Sequence, residues 1–552
     1  MPTFKLDGQE LTVDKGKTII QVCDQLGMDV PRYCYHPGLR VVGSCRMCMV
    51  EVEKMPKLQI ACNTQVQDGM VVWTQTPKVK EARRSVLEFL LLNHPLDCPV
   101  CDRAGECELQ NYYMRHGLHD SRLRENKIKK KKAFPIGKFV ILDQERCVLC
   151  SRCVRFTEEI SKTGELGIFN RAVTSEVNVY PGRELDNRYS GNVVDICPVG
   201  ALLDRDFRYQ MSVWYLKEAN SVCPGCANGC NTRIHFNLDR RYKIEGRRVL
   251  RLKPRFNEQV NKWWLCDEGR YHYKWIDQDR IETPLLREPK DGGQEDPPPN
   301  NELKAPGWDT VLAKIVENIK LTIDLYGPDS IGVIASPQMT NEELYIVRKI
   351  FSEQLKVSLI RYHIPPKPEA SEDSFLIKKD KNPNTRGAQL ILDSQKDLPV
   401  RDVLEAAKNG KLKLLFVFHT DLVDRFGADI VREALHQVNA VIFHGTNKSA
   451  MLDFATHVLA AATYAEIEGT FTNFQGRVQR IFPAFAPLAE SRATLRILRD
   501  LSQQLGIATP ADATVVFEEL RAHLPAFAEV DYASLGLSGK LVSQPASAAA
   551  NP

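Results

Sequence analysis

The N-terminal part of the chain alternates short hydrophobic runs with polar turns, a pattern that predicts a small β-rich domain. Residues 4–6 and 11–13 flank Asp7-Gly8, a pair that favours a two-residue hairpin turn. Apolar side chains spaced i, i+3, i+4, i+7 from Ile19 predict a helix that ends at Gly27. A second hairpin is predicted over residues 65–72.

The C-terminal half has longer apolar runs that alternate with helical patterns. Residues 331–335, 388–392, 413–418 and 440–443 are predicted strands. Thr340 and Glu343 have the spacing of a capping box and predict the start of a helix. Apolar strands that alternate with helices predict a parallel sheet covered on both faces, so this half is expected to be an α/β domain.

Length and composition describe a multidomain globular chain. The 552 residues are too many for one hydrophobic core, and three to five domains are expected. A net charge of +4 favours no nucleic-acid partner. The longest apolar run, residues 86–92 interrupted by Glu88, is too short to span a bilayer, and the N-terminus lacks the apolar stretch of a secretory signal.

The cysteines supply the candidate chemistry. All sixteen lie within the first 266 residues, and without an export signal they indicate metal ligation in a reducing compartment rather than disulfides. Fifteen of them, together with one histidine, fall into four groups with iron–sulfur spacing. Cys23 is left over, and its place on the apolar face of the predicted helix indicates a buried small hydrophobe.

The first group has the spacing C-x10-C-x2-C-x13-C and lies between the two predicted hairpins. Hairpin, helix, ligand loop and hairpin resemble a plant-type [2Fe–2S] ferredoxin domain. A four-thiolate zinc site is the alternative, although such sites usually use two matched cysteine pairs. The predicted ligands are Cys34, Cys45, Cys48 and Cys62.

The second group follows a helix that Thr76 is predicted to cap and whose apolar face carries Val79, Val86 and Phe89. A histidine just past a helix end is usually a surface residue, but three cysteines within the next thirteen positions indicate a ligand. Replacement of one thiolate by imidazole makes a cluster less negative, which normally raises its reduction potential. The predicted [4Fe–4S] ligands are His94, Cys98, Cys101 and Cys107.

The third group combines C-x2-C-x2-C with a remote Cys-Pro, which is half of the bacterial ferredoxin arrangement. Only one such run is complete, so one [4Fe–4S] cluster is expected here. The predicted ligands are Cys147, Cys150, Cys153 and Cys197.

The fourth group lies in a predicted small β domain with strands at residues 232–236, 241–244 and 249–252. A [4Fe–4S] cluster fits this spacing, and a zinc ribbon is the alternative. The predicted ligands are Cys223, Cys226, Cys230 and Cys266.

With these groups placed, the chain resembles the large iron–sulfur subunits (the G or 75 kDa type) of bacterial NADH:quinone oxidoreductase, respiratory complex I. The resemblance rests on residues 43–48 (GSCRMC), 94–107 (HPLDCPVCDRAGEC), 150–156 (CSRCVRF) and 195–201 (DICPVGA). It implies that the first three groups hold one [2Fe–2S] and two [4Fe–4S] clusters. The fourth group is retained only in some bacterial members of that family, which makes it a side site.

The same resemblance implies a C-terminal domain related to molybdopterin oxidoreductases, with landmarks at residues 307–309 (GWD) and 468–477 (EGTFTNFQGR). The expected domains are residues 1–78, 79–133, 134–215 and 216–286, one for each cluster, a linker at 287–307, a molybdopterin-oxidoreductase-like domain without cofactor at 308–534, and a disordered tail at 535–552. The expected fold class is therefore multidomain α+β and α/β.

The resemblance also implies partners, because the chain has no dinucleotide loop, flavin signature or catalytic residue of its own. These are an NADH- and FMN-binding subunit, a thioredoxin-like [2Fe–2S] subunit, a two-cluster ferredoxin-like subunit and quinone-proximal subunits. The expected location is the cytoplasm, peripheral to the bacterial inner membrane, without a membrane span of the chain's own.

Two rival functions share some of these features. In a molybdenum or tungsten formate dehydrogenase, a thiolate usually binds the metal and Lys tends to lie two residues after the fourth ligand, yet no cysteine follows Cys266 and Glu268 occupies that position. A hydrogen-activating hydrogenase subunit would need further cysteines after the fourth group, and none exist. Both rivals are therefore disfavoured.

Basic residues near the ligand groups allow two interpretations each. The run at 127–132 (KIKKKK) is predicted to be a solvated loop, with docking on an acidic neighbouring subunit as the alternative. Four arginines within the ligand loops could offset cluster charge or simply be exposed. They are Arg46, Arg103, Arg152 and Arg155.

Overall fold

The computed structural model describes residues 1–117, 121–287, 302–392 and 399–543. The chain divides into two compact units. The first comprises residues 1–216, 242–244 and 264–267, and the second comprises 217–241, 245–263 and the chain from 268 onward.

The first unit is built from short elements. In chain order they are β1 (Thr3–Leu6), β2 (Gln9–Thr12), α1 (Ile19–Gln25), β3 (Met49–Val52), β4 (Gln59–Ile60), β5 (Val71–Trp73), α2 (Pro77–Leu91), α3 (Glu108–His116), β6 (Phe134–Pro135), β7 (Val140–Leu142), α4 (Arg152–Glu159), β8 (Leu166–Phe169), β9 (Glu176–Val179), α5 (Asn192–Ile196) and β10 (Leu202–Asp204).

The N-terminal sheet has the order β2-β1-β5-β3-β4, with α1 packed into its core. The predicted hairpin of β1 and β2 is confirmed, and positive φ angles at Asp7 and Gly8 suit its tight turn. Thr18 and Gln21 form a capping box at the start of α1, and Cys23 on that helix is fully buried, as predicted. The N-terminal region therefore has the ferredoxin-like arrangement that the pattern indicated.

Two local predictions in this unit are wrong. Residues 65–72 do not form a hairpin, because β5 pairs with β1 in parallel and with β3 antiparallel. Thr76 does cap α2, but the buried face of that helix carries Val79, Arg83 and Leu87, whereas Phe89 is 72% exposed. Because arginine is polar, the hydrophobic pattern could not place Arg83 on the buried face of α2, and the face that it predicted was wrong.

The second unit continues the chain with elements β11 (Lys217–Val222), β12 (Asn231–Phe236), β13 (Val249–Pro254), α6 (Asp267–Tyr271, whose first residue belongs to the first unit), β14 (Leu285–Arg287), β15 (Leu303–Lys304), α7 (Trp308–Tyr326), β16 (Ile331–Ile334), α8 (Asn341–Val347), β17 (Leu359–Arg361), α9 (Thr385–Ile391), α10 (Arg401–Lys408), β18 (Leu414–Phe418), α11 (Leu422–Phe426), α12 (Ala428–Leu435), β19 (Ala440–Gly445), β20 (His457–Ala460), β21 (Gly469–Thr472), β22 (Arg477–Ile481), α13 (Thr494–Gln504), α14 (Ala513–His523) and β23 (Lys540–Leu541).

The main sheet of this unit has the order β15-β14-β20-β19-β18-β16-β17. Strands β16 to β20 are parallel to one another. Strand β14 lies beside β20 and runs antiparallel to it. The strand predictions at 331–335, 413–418 and 440–443 and the capping box at Thr340 are confirmed. The prediction at 388–392 is wrong, because this run lies in α9 and buries Ala388 and Ile391 at helical spacing.

Three further predictions need correction. The predicted strand at 241–244 is a 3₁₀ turn over Arg241–Lys243. The predicted linker is bounded by strands β14 and β15, and its residues 288–301 lie outside the described residues. The predicted disorder from 535 is wrong as far as residue 543, because β23 pairs with β22, and residues 544–552 lie outside the described part. Within the described ranges, no helix is long and apolar enough to cross a membrane.

Candidate iron–sulfur sites

The first ligand group occupies the loop between α1 and β3 and the residue after β4. Its sulfurs form two hydrogen-bonded pairs, in which Cys45 donates to Cys34 and Cys62 donates to Cys48. These hydrogen bonds lower the pKa of both acceptors, that of Cys34 to about 5. The Cys62 sulfur also interacts electrostatically with the sulfurs of Cys34 and Cys45, so the two pairs lie next to each other. The structure therefore brings together all four predicted ligands.

The backbone of this loop is folded around the sulfurs. Gly43 and Arg46 have positive φ angles of 61° and 57°. A Cβ atom on Gly43 would lie 2.7 Å from Cδ1 of Ile60, so both conformation and space favour glycine. The backbone N–H groups of Ser44 and Cys45 donate to the Cys34 sulfur, which is the way a ferredoxin loop holds its cluster.

The second ligand group surrounds a small cavity. Burial, followed by the charge of Arg146, lowers the pKa of His94 to about 4. The imidazole is therefore neutral at pH 7 and has a lone pair available for iron. The residues that line this cavity are His94, Asp97, Cys98, Cys101, Ala104, Cys107, Gln110, Arg146 and Gly200.

The third ligand group surrounds a small cavity whose other walls are mostly apolar. Positive φ angles at Leu149 and Ser151 curl the C-x2-C-x2-C loop around it. Burial raises the pKa of Cys147 to about 12 and that of Cys150 to about 11, because an isolated thiolate is poorly solvated there. A metal cluster would supply the positive charge that these thiolates lack. The sulfurs that line the cavity are those of Cys147, Cys150, Cys153 and Cys197.

Two buried arginines of α4 connect the first and third ligand loops. Arg155 donates from Nη2 to the carbonyl oxygens of Cys34 and Cys150. Arg152 donates to the carbonyl oxygens of Tyr35 and Ile196, the neighbours of ligands Cys34 and Cys197. The two guanidinium groups thus hold both loops together and place positive charge between them.

The second and third ligand loops are also in direct contact. Arg103 donates to the carbonyl oxygens of Val194 and Asp195 at 3.2 and 3.3 Å. Gly200 lies so close to Cys101 that an added Cβ would be 2.2 Å from its sulfur. Of the four ligand-loop arginines, Arg103, Arg152 and Arg155 are therefore buried bridges, whereas Arg46 is exposed.

The basic run at 127–132 is a loop with mostly exposed residues, as predicted, but several of its lysines also have partners within the chain. Lys127 donates to the carbonyl oxygens of Leu91 and Leu92 at the end of α2, where cations are favoured. Lys132 forms ion pairs with Asp97 and Glu145 beside the second cavity. Spacing could not reveal these partners because they lie 13 to 36 residues away.

Three cysteines of the fourth group lie on the turn between β11 and β12 in the second unit. The Cys223 N–H donates to the Cys230 carbonyl oxygen at 2.8 Å, which closes the turn. Asn228 donates from Nδ2 to the Cys230 sulfur at 3.0 Å, and the Lys378 N–H donates to the Cys226 sulfur. Cys266 is buried and belongs to the first unit, so the fourth group as a set of four stays a prediction.

The landmark motif at 468–477 and the strand after it hold this turn in place. Asn473 donates to the Asn228 carbonyl oxygen, and Gln479 donates to the Gly229 carbonyl oxygen. The Phe474 N–H donates to the Ala227 carbonyl oxygen at 2.9 Å. Sequence reasoning missed this role, because Asn and Gln side chains in a hairpin that also carries Thr, Glu and Arg give no pattern that marks them as buried.

Disulfides and single-ion sites are not found among the described residues. The ligands of an iron–sulfur cluster bind different iron atoms, so they do not need to converge on one point. The chemistry of the donor set, the two cavities and the inward backbone N–H groups fit clusters at the first three groups.

Four families match parts of the chain. The 2Fe-2S iron-sulfur cluster binding domain matches residues 1–77, and the NADH-ubiquinone oxidoreductase-G iron-sulfur binding region matches 83–122. The ferredoxin-like domain of NADH-quinone oxidoreductase subunit 3 matches 137–203. Molybdopterin oxidoreductase matches 369–504. These matches support the mixed, multidomain fold class expected from the sequence.

Three curated relatives are named as subunits of NADH-quinone oxidoreductase or NADH dehydrogenase. The G subunit of NADH-quinone oxidoreductase from Rickettsia felis is 37% identical over 353 residues, which is 64% of this chain and 49% of that protein. The Streptomyces coelicolor protein of the same name is 38% identical, over 63% of this chain and 39% of its own length. The mitochondrial NADH dehydrogenase [ubiquinone] iron-sulfur protein 1 of Solanum tuberosum is 40% identical, over 51% of this chain and 37% of its own.

The chain spans about half the length of the first of these relatives. A chain from a crystal structure of an NAD⁺-reducing [NiFe]-hydrogenase in the H₂-reduced state is 29% identical and covers 38% of this chain and 90% of its own. Its TM-score is 0.35, too low to carry an argument. Across its iron–sulfur region, the chain is a homologue of the G-type, or 75 kDa, subunits of NADH-quinone oxidoreductase.

Proposed function

We propose that the chain is an electron-transfer subunit of NADH:quinone oxidoreductase, complex I, and that it relays single electrons through iron–sulfur clusters from an NADH/FMN subunit toward quinone. In the whole complex this transfer is coupled to proton translocation. The proposed carriers are one [2Fe–2S] cluster on Cys34, Cys45, Cys48 and Cys62, and [4Fe–4S] clusters on His94, Cys98, Cys101 and Cys107, on Cys147, Cys150, Cys153 and Cys197, and on Cys223, Cys226, Cys230 and Cys266.

The contact between successive ligand loops carries this proposal. Arg155 touches the loops of the first and third groups, and Gly200 touches the sulfur of Cys101 in the second group. Electron relays need redox centres that are close together and shielded from solvent, and three adjoining, largely buried ligand groups meet that need. Metal sites that were only structural would not need to adjoin one another.

The partners and location in the proposal come from the family that the sequence resembles. The NADH/FMN subunit, the thioredoxin-like and two-cluster subunits and the quinone-proximal subunits would surround this chain on the cytoplasmic face of the bacterial inner membrane. The described chain itself has no helix that could span the membrane.

A formate dehydrogenase is the second candidate, and the relatives do not favour it. Glu268, at the position where such enzymes tend to have lysine, forms an ion pair with Lys381 at 2.9 Å. A paired carboxylate offers no cation for a pterin phosphate. We propose that the C-terminal domain works without a molybdenum cofactor.

The test is to purify the tagged chain with its natural partners under argon and to follow cluster reduction by EPR. We expect FMN to copurify, NADH to reduce the clusters and quinone to reoxidise them, with about 14 iron atoms per chain from two plus three times four. Reduction by formate together with stoichiometric molybdenum or tungsten would instead support the second candidate.

Substitutions of single cluster ligands distinguish the proposed relay from the fourth site, which is expected to lie off the relay. Cys147→Ala is expected to abolish NADH-to-quinone turnover, whereas Cys223→Ala should reduce assembly more than turnover per assembled complex. Cys23→Ala is the matched control, because Cys23 is a buried thiol outside the ligand groups. Normal turnover in Cys147→Ala would contradict the proposed relay.

A further inference from the structure

A cavity of about 200 Å³ lies in the second unit at the carboxyl ends of the parallel strands. Gln338 follows β16, His419 follows β18, Thr446 follows β19 and Thr463 follows β20, and all four side chains line the cavity. Open α/β sheets bind ligands at this edge. The cluster ligands assigned above do not line it.

One wall of the cavity is aromatic. The rings of Trp275 and Tyr464 lie side by side with centroids 5.8 Å apart, and Phe471 extends the same wall. Such a surface favours a flat, apolar ring face. Lysine and arginine are absent from the described residues that line the cavity, so a phosphate or carboxylate group would have no cation to pair with.

Several polar groups of the cavity, including the buried carboxyl of Glu343, offer hydrogen-bond acceptors. The Gln338 amide nitrogen already donates to Lys381 and Asn382, which leaves its carbonyl oxygen for a ligand. The hydroxyl of Thr446 donates to Asn447, and that of Thr463 donates to Glu466, so both have only acceptor capacity left. A complementary ligand must therefore donate hydrogen bonds.

His419 has a strained backbone and packs against a buried histidine whose ring lacks hydrogen-bond partners among the described residues. It has a φ angle of 45°, and its ring lies edge-on to that of His444 with centroids 4.5 Å apart. His444 is 1% exposed, and both of its ring nitrogens lack a hydrogen-bond partner among the described residues. Burial lowers the pKa of His419 to about 4, so this pair adds no positive charge at pH 7. Backbone strain and unsatisfied buried polar groups are costs that concentrate at binding sites.

We propose that this crevice binds an uncharged, planar heterocycle with an exocyclic amino group, of the adenine-nucleoside class, stacked on Trp275 and Tyr464 with its amino group toward Gln338 and the threonines. The crevice adjoins the fourth ligand loop through Pro224 but is lined by none of the proposed cluster ligands, so its existence does not depend on the proposed function.

The test is isothermal titration calorimetry of the cluster-loaded, full-length chain with adenosine. We expect saturable one-to-one binding, and about tenfold weaker binding of inosine, which lacks the exocyclic amine. Adenosine 5′-monophosphate should bind no better than adenosine, because the cavity has no cation for its phosphate.

Substitutions of residues that line the cavity test whether adenosine binds there. Ala462→Phe fills the cavity and is expected to weaken adenosine binding at least about tenfold. His419→Asn keeps a residue that tolerates positive φ and removes the imidazole, and it should also weaken binding. His436→Asn, at an exposed histidine, is the matched control and should change nothing. Retained cluster absorbance and an unchanged Tm show that a variant is folded.

Three results would overturn the inference. They are no saturable heat with millimolar adenosine, equal adenosine affinity in His419→Asn and His436→Asn, and a preference for inosine or for the monophosphate. Because titration needs neither NADH nor quinone, each of these results is independent of the electron-transfer experiments.

Discussion

The guanidinium of Arg155 donates a hydrogen bond to the carbonyl oxygen of Cys34, a residue 121 positions earlier in the chain. The same nitrogen donates to Cys150, so one buried cation joins the first and third ligand loops. Burial lowers the pKa of Arg155, while the nearby Cys150 and Cys34 act in the opposite direction. Charge on the cluster ligands and charge on this arginine therefore stabilise each other.

Arg155→Met should loosen both loops. The substitution leaves buried carbonyl oxygens without a donor, and each hydrogen bond lost from a charged group costs about 1.5–3 kcal/mol. We expect faster loss of cluster absorbance on heating under argon and changed EPR signals for the first and third clusters. Arg46→Met is the control, since Arg46 is an exposed arginine of the first ligand loop. Equal rates of cluster loss in the two variants would show that the bridge contributes nothing.

Gly200→Ala should remove the second cluster without changing a ligand. The new methyl group would lie 2.2 Å from the sulfur of Cys101, closer than two such atoms can approach. Iron analysis is expected to fall by about four atoms per chain, the content of one cubane. Gly225→Ala is the matched control, because its Cβ would be an ordinary 3.5 Å from the Cys223 sulfur. Full iron content in Gly200→Ala would mean that the second group holds no cluster.

Gln479→Leu should affect only the fourth site. Its amide donates to Gly229 and accepts from Asn231, and removing a buried hydrogen-bonding group costs about 1–3 kcal/mol. We expect partial or full loss of the fourth cluster by iron and EPR analysis, with unchanged signals from the other three. Gln475→Leu, an exposed change in the same hairpin, should keep all four. Zinc instead of iron at this site in the unaltered protein would refute the fourth cluster.

The ionisation of Glu342 should lower the free energy of unfolding as pH rises. Burial raises the pKa of this carboxyl from 4.5 to about 7, while it accepts hydrogen bonds from the N–H and hydroxyl of Thr470. The folded state therefore holds a proton that the unfolded state releases above pH 4.5. The stabilisation is complete below that pH and is lost as pH rises through about 7, by about 3 kcal/mol in total.

Glu342→Gln removes this titration and isolates its effect. We expect the Tm of the unaltered protein, relative to the variant, to decrease steadily between pH 5 and pH 8, as measured by differential scanning calorimetry. Neighbouring Glu343, whose pKa burial also raises, is present in both proteins and cancels in the difference. A pH-independent difference would show that Glu342 has the same ionisation in both states.

Sequence reasoning was most accurate where structure depends on near neighbours. The hairpin at Asp7-Gly8, the capping box at Thr340 and the burial of Cys23 follow from turn chemistry, side-chain hydrogen bonds and helical period, which act over a few residues. It failed where a short apolar run fits either helix or strand, as at Ala388, and where a charged residue is buried, as at Arg83. In both cases contacts with distant residues outweighed local preference.

The sequence by itself determined the ligand types, their spacing and the alternation of strands and helices, because thiolate chemistry and hydrophobic period are written in consecutive residues. Only the tertiary structure decided which arginines bridge ligand loops, that Gly200 must approach Cys101, and that Gln479 holds the turn at Gly229. The contacts between these loops join residues 44 to 250 positions apart. Contacts between residues so far apart in the sequence leave no local sequence pattern, because the groups meet only when the whole chain has folded.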